Sequence, residues 1–85
     1  MNKKAQKAIG LLGQAIDLLT ETSKEYGQMA DRSCRHANDP TMGRTVRAEA
    51  RAEEFRYDNM FIATRDAAHS VITVVDALLG LDTKG

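Results

Sequence analysis

Apolar residues recur at steps of three and four in both halves of the chain, and this period limits the fold more than any other feature. Such steps place side chains on one face of an α-helix. The first stripe is Ala5, Ile9, Leu12, Ile16 and Leu19, and it continues more weakly through Ser23, Tyr26, Ala30 and Ala37. The second stripe is Tyr57, Phe61, Thr64, Ala68, Val71, Val75 and Leu78. The pattern predicts an all-α fold of two long helices.

The stretch HANDPTMGRT, residues 36–45, separates the two stripes and contains the only proline, Pro40. A proline pushes the residue before it out of helical geometry, so the first helix is expected to run from about Lys3 to His36. We expect a turn near residues 37–41. An Asp side chain can cap a helix and proline is favoured at its first position, so Asp39 and Pro40 are predicted to begin the second helix.

Two long helices with a short connection are expected to fold back on each other as one antiparallel hairpin, a single domain of residues 1–85. Folding back places the apolar first half of helix one beside the apolar last half of helix two, and it leaves the turn end polar. In the expected register, Glu21 lies opposite Arg56 and Glu25 lies opposite Arg51. These pairs would compensate the acidic residues that repeat along the first helix.

The hairpin is expected to need partners for its apolar surface. A chain of 85 residues buries only about 60–65% of its unfolded surface, and the single cysteine, Cys34, excludes an internal disulfide. More apolar side chains flank the stripes than one seam can cover. We therefore predict a helical bundle, a dimer or larger, in which Gly10, Gly13 and Ala15 allow close helix packing. Its expected interface is Ile9, Leu11, Leu12, Ile16, Leu18, Leu19, Val71, Val74, Val75, Leu78 and Leu79.

Twelve basic and twelve acidic side chains give a formal net charge of zero. This balance argues against bulk binding of nucleic acid or of an anionic membrane. No stretch approaches the ~20 apolar residues of a membrane span, and no secretory signal is recognised. With an unpaired thiol as well, the expected location is the cytoplasm.

Six of the seven arginines lie between residues 32 and 56, around the turn. The guanidinium group forms a fixed fork of donors that suits phosphate and carboxylate groups. The candidate binding residues are therefore Arg32, Arg35, His36, Arg44 and Arg47. The alternative is that these side chains are solvated or paired with acidic neighbours.

No catalytic or metal-binding motif is recognised. Cys34 and His36 are two positions apart, so they do not face each other on a helix, and a metal site would require further ligands. We therefore expect no enzyme activity, no metal and no cofactor.

The motif NDPTMG, followed by a long helix, resembles the turn of the needle subunits of type III secretion systems. Those subunits are small helical hairpins that stack into tubes. The resemblance covers the turn, and it implies a self-assembling structural subunit.

These features favour a small oligomeric helical protein that binds a protein partner without catalysis, as a regulator, inhibitor or adaptor of the kind carried on mobile elements. One alternative is an oligomer that binds a nucleotide or another phosphorylated molecule at its arginine-rich tip. Another is the structural subunit implied by the resemblance.

Overall fold

The computed structural model describes the backbone of residues 3–84 and the side chains of residues 3–80. It contains two helices, α1 at Lys3–Ala37 and α2 at Arg44–Lys84. They pack against each other as a hairpin 63 Å long and 15 by 12 Å across. The described residues form no strand, so the predicted all-α hairpin is confirmed.

The seam between α1 and α2 follows a seven-residue repeat. In α1 its positions are Ala5, Ile9, Leu12, Ile16, Leu19, Ser23, Tyr26, Ala30, Ser33 and Ala37, and each is buried or half-buried. In α2 they are Arg47, Ala50, Glu54, Tyr57, Phe61, Thr64, Ala68, Val71, Val75 and Leu78, with the same burial. A repeat of seven rather than of whole helical turns is the signature of a coiled coil. The seam therefore includes Arg47, Ala50 and Glu54, which the apolar stripes did not contain.

The fully packed part of the seam is made of small side chains. The buried residues are Ser23, Ala30, Ser33, Ala37, Ala50 and Ala68. Near them the Phe61 ring of α2 packs closely against Gly27 of α1, where an added Cβ would lie 3.3 Å from the ring. No large side chain among the described residues is fully buried. One hairpin therefore has a thin seam and lacks a large apolar core.

Contacts across the seam define the register of the two helices. The Ser23 hydroxyl donates a hydrogen bond of 3.2 Å to the backbone carbonyl of Phe61. The rings of Tyr26 and Tyr57 stack with their centroids 6.3 Å apart. Ser23 thus lies beside Phe61, whereas the expected register would place it near Glu54.

The prediction of ion pairs between the first helix and arginines of the second is wrong. Neither Glu21 with Arg56 nor Glu25 with Arg51 forms a pair within the described part of the chain, where the ion pair found is Arg65 with Asp66 at 3.7 Å. The cause is the turn, which is longer than expected and shifts α2 along α1.

The turn covers residues 38–43, and Pro40 does not begin a helix. The Met42 N–H donates to the Asp39 carbonyl at 3.2 Å, which closes a β-turn with Pro40 and Thr41 at its centre. The Asp39 carboxylate accepts the backbone N–H of Thr41 at 2.9 Å and its hydroxyl at 2.7 Å. Asp and Pro are favoured at the first two positions of such turns, so the same residues fit both structures.

The second helix begins four residues later than predicted, at Arg44. The Gly43 carbonyl accepts the first helical hydrogen bond, from the Arg47 N–H at 3.0 Å. Gly43 therefore occupies the cap position that the sequence assigned to Asp39.

The residues of the predicted oligomer interface lie in two environments. The half-buried seam of one hairpin contains Ile9, Leu12, Ile16, Leu19, Val71, Val75 and Leu78. Leu11, Leu18, Val74 and Leu79 are exposed. Only the second group is open to a partner in the isolated hairpin.

Candidate functional site

Large apolar side chains cover much of the hairpin's outer surface. The exposed ones among residues 3–80 are Leu11, Leu18, Met29, Val46, Phe55, Met60, Ile62, Ile72, Val74 and Leu79. Phe55 and Leu18 keep 68% and 64% of their surface in contact with solvent. Such a set is unusual for a soluble monomer and marks interaction surfaces.

Six of these residues share one long side of the hairpin. Met29 and Glu53 line one hollow together, so they lie on the same side of the seam. Residues seven apart lie on one line of a coiled-coil helix, and Val46 precedes Glu53 on that line while Met60 and Val74 follow it. Leu11 and Leu18 precede Met29 by whole helical turns. We call the surface formed by Leu11, Leu18, Met29, Val46, Met60 and Val74 the leucine–methionine face.

The opposite side has a different character. Its hollow is lined by Thr20, Ser23, Arg65, Ala68, His69 and Ile72. The Arg65 guanidinium lies 5.5 Å from the centre of the Phe61 ring, and it also contacts Asp66. On this side α1 contributes small or polar residues such as Gly13 and Thr20, so its apolar surface comes from α2.

The two halves of the leucine–methionine face lie at matching heights along the hairpin. Counting along both helices from the contact of Ser23 with Phe61 places Leu11 level with Thr73, one residue before Val74 of this face. The same count places Leu18 level with Asp66, one residue before Ala67, which continues the line of Met60 and Val74. Leu11 and Leu18 of α1 therefore each have a smaller residue of α2 beside them on this face.

The predicted arginine cluster is divided between two hollows. Arg44, Arg47 and Arg51 line one of them with Ala48, on the first turns of α2. Arg32 and His36 line the other, with Glu53 and Tyr57. Arg35 is exposed in the last turn of α1. We call the group of Arg44, Arg47 and Arg51 the arginine hollow.

Arg51 is the member of this hollow that the sequence-based prediction missed. The sequence spacing could have identified it, because Arg44, Arg47 and Arg51 are three and four residues apart and share one face of a helix.

The helix dipole favours the arginine at the end of α1 and disfavours the arginines at the start of α2. Arg35 and His36 lie at the carboxyl end of α1, where the helix dipole favours positive charge. Arg44 and Arg47 lie at the amino end of α2, where it disfavours positive charge, and the first turn of α2 contains no acidic residue. The arginine hollow is therefore a strongly electropositive part of the surface.

One guanidinium atom in the arginine hollow lacks a partner. The Nε of Arg47 is buried and has no hydrogen-bond partner in the described part of the chain. The nearby acid is Asp39, whose pKa is held below its usual range mainly by the hydrogen bonds from Thr41, with smaller contributions from the charges of His36 and Arg47. Asp39 is thus already used by the turn.

Cys34 lies in an environment that keeps its thiol protonated. A hydrogen bond with the Glu54 carboxylate raises the pKa of the thiol, and partial burial and the negative charges of Glu54 and Asp31 add to this effect. The amide of Asn38 contacts the sulfur at 3.4 Å and opposes it weakly. A nucleophilic cysteine needs a lowered pKa, so the geometry does not favour catalysis by Cys34.

No family model, curated protein or solved structure matches this chain. Within the described residues, no group of three or more His, Cys, Asp and Glu side chains is placed to hold a metal ion. Neither α1 nor α2, as far as they are described, is long and apolar enough to cross a membrane.

Proposed function

We propose that the chain is a non-enzymatic helical interaction protein, which works as an oligomer and binds a protein partner as a regulator or adaptor. One observation carries this proposal: the described hairpin fully buries no large side chain, and it exposes ten large apolar ones. Apolar surface removed from water contributes roughly 25 cal/mol per Å². Association that covers these side chains would therefore stabilise the folded hairpin more than any contact within it.

The two sides of the hairpin allow two different contacts. The leucine–methionine face contains residues of both helices, so it suits a partner that lies along the hairpin. Phe55 and Ile62 are exposed on α2 outside that face. Exposed aromatic residues are frequent centres of binding energy, so this second surface remains for a protein partner after self-assembly.

Sedimentation equilibrium of the purified chain tests the proposal. We expect an oligomer at micromolar concentration. Leu18→Asp should shift the mass towards the monomer, because it places a charge in an interface that excludes water. Thr20→Asp is the matched control, since Thr20 is exposed on the opposite side of the same helix. A helical monomer at all concentrations would contradict the proposal, and open-ended filaments would favour the needle-like subunit.

The arginine hollow favours a second candidate function, the capture of a phosphorylated molecule. Three arginines line it on the first turns of α2, close to the amino end of that helix. The hollow has a volume of about 250 Å³, enough for a phosphate group with part of what it is attached to. Helix amino ends and guanidinium groups both bind phosphate.

Titration with inorganic phosphate and nucleotides, at low and high salt, tests this candidate. The double variant Arg44→Gln, Arg51→Gln should lose binding, because each charge-assisted hydrogen bond is worth about 1.5–3 kcal/mol. Arg35→Gln removes an exposed charge outside the hollow and should leave the affinity nearly unchanged. Equal affinities for the wild type and the double variant would eliminate the hollow as a binding site.

A further inference from the structure

We infer that the leucine–methionine face binds a second copy of this chain, with both turns at the same end, so that α1 of each copy lies on α2 of the other. The inference rests on the proposed function and adds the face, the orientation and the register. The result is a four-helix bundle in which every neighbouring pair of helices is antiparallel.

The area of the face requires a long partner. A side 63 Å long and 15 Å wide covers about 950 Å² in projection, close to the roughly 800 Å² per partner that a stable interface needs. Only an elongated partner that follows the hairpin over most of its length reaches that area. A second copy has the required length by construction, and it is present wherever the chain is made.

The sizes of the side chains favour this orientation. With the turns at the same end, each position on α1 meets the level position on α2 of the second copy. The residues of the α2 line nearest to Leu18 and Leu11 are then Ala67 and Val74, each within one residue of level. Alternation of large and small residues across an interface fills it without voids or overlap. With the turns at opposite ends, Leu18 would crowd its own counterpart and Ala67 would face Ala67.

Val46 gives a second reason for placing the turns together. It lies near the turn end of the leucine–methionine face and keeps 49% of its surface exposed. The second copy extends to the same end and can cover Val46. In the opposite orientation, Val46 would project past the end of the other hairpin and remain in water.

Charges beside the turn agree with the same arrangement. Arg32 on α1 and Glu53 on α2 line one hollow on this face. They form no ion pair within the described hairpin, where Ser33 contacts Glu53 at 3.5 Å. In the proposed bundle, Arg32 of each copy lies within one residue of the level of Glu53 of the other. Opposite charges therefore meet at both symmetry-related positions.

Disulfide trapping tests the orientation, in a Cys34→Ser background that removes the native thiol. Single-cysteine variants are mixed in pairs, unfolded, refolded together and oxidised mildly. A disulfide requires Cα atoms no more than about 7 Å apart. We expect linked dimers from Leu11→Cys mixed with Val74→Cys, and from Leu18→Cys mixed with Ala67→Cys. Ile62→Cys, on the other surface, should give no linked dimer.

The opposite orientation predicts a different set of products. Ala67→Cys would then link to itself, and Met60→Cys would link to Val74→Cys, and these products would overturn the inference. Linking through Ile62→Cys, or a dimer that none of the variants traps, would show that another surface is used, while the proposed function stands. A monomeric mass of the Cys34→Ser protein in light scattering would instead overturn the proposed function itself.

Discussion

At the scale of single residues, the neighbours of Cys34 determine how reactive its thiol is. Cys34 and Glu54 lie on facing helices, and the carboxylate raises the pKa of the thiol through a hydrogen bond. The thiolate is the reactive form of cysteine, so a raised pKa makes alkylation slow near neutral pH. The same contact reports on the register of the helices, because a shift of one turn would separate the two groups.

Removal of the Glu54 charge should therefore activate Cys34. We expect Glu54→Gln to lower the pKa of the thiol and to increase the rate of alkylation by iodoacetamide at pH 8. The pH profile of that rate gives the pKa directly. Glu49→Gln removes an exposed carboxylate from the same helix and serves as the control. An unchanged profile in Glu54→Gln would show that Glu54 does not contact the thiol.

Asp39 shows why the chemistry of the turn was misassigned from sequence. Ser, Thr, Asp and Asn side chains accept backbone N–H groups both at helix starts and in turns. Six residues between the helices leave room for a β-turn, and Pro40 fits its second position. Local sequence does not choose between these structures, since the choice depends on how α2 packs against α1.

At the scale of the helices, the period of the apolar residues predicted both elements and their pairing. It did not predict the register. The expected pairs of Glu21 and Glu25 with arginines assumed a short turn, and every extra turn residue moves α2 along α1. The polar members of the seam, Arg47 and Glu54, were also missed, because a search for apolar periodicity passes over charged residues at seam positions.

The glycines of α1 provide a test of how the hairpin packs. A Cβ added to Gly10 or Gly13 meets no atom within 4 Å, whereas at Gly27 it meets Phe61 at 3.3 Å. Glycine inside a helix is destabilising by roughly 0.5–1 kcal/mol relative to alanine. We therefore expect Gly13→Ala to raise the urea midpoint at fixed protein concentration. Gly27→Ala should raise it less, or lower it, because the Phe61 ring must move.

The same variants address the role predicted for these glycines in assembly. Gly13 lies on the opposite side from the leucine–methionine face, so Gly13→Ala should leave the oligomer mass unchanged. If Gly13→Ala dissociates the oligomer, the glycines form a close helix contact between copies, and the bundle is built through that other side.

At the scale of the whole molecule, folding and association are expected to be one process. A seam of alanine and serine side chains contributes little apolar burial, and ten large apolar side chains of the described hairpin stay exposed, so the proposed second copy would supply much of the missing burial. Binding that favours the folded state makes the melting temperature depend on concentration.

The wild-type Tm, followed by the helical circular dichroism signal, should therefore rise with protein concentration over the micromolar range. Leu18→Ala should lower the Tm most at low concentration, while Thr20→Ala, at an exposed position on the opposite side of the same helix, should leave the concentration dependence intact. A Tm that stays constant over a hundredfold dilution would mean that the thin seam stabilises the hairpin without a partner, and the exposed leucines would then need an explanation other than self-assembly.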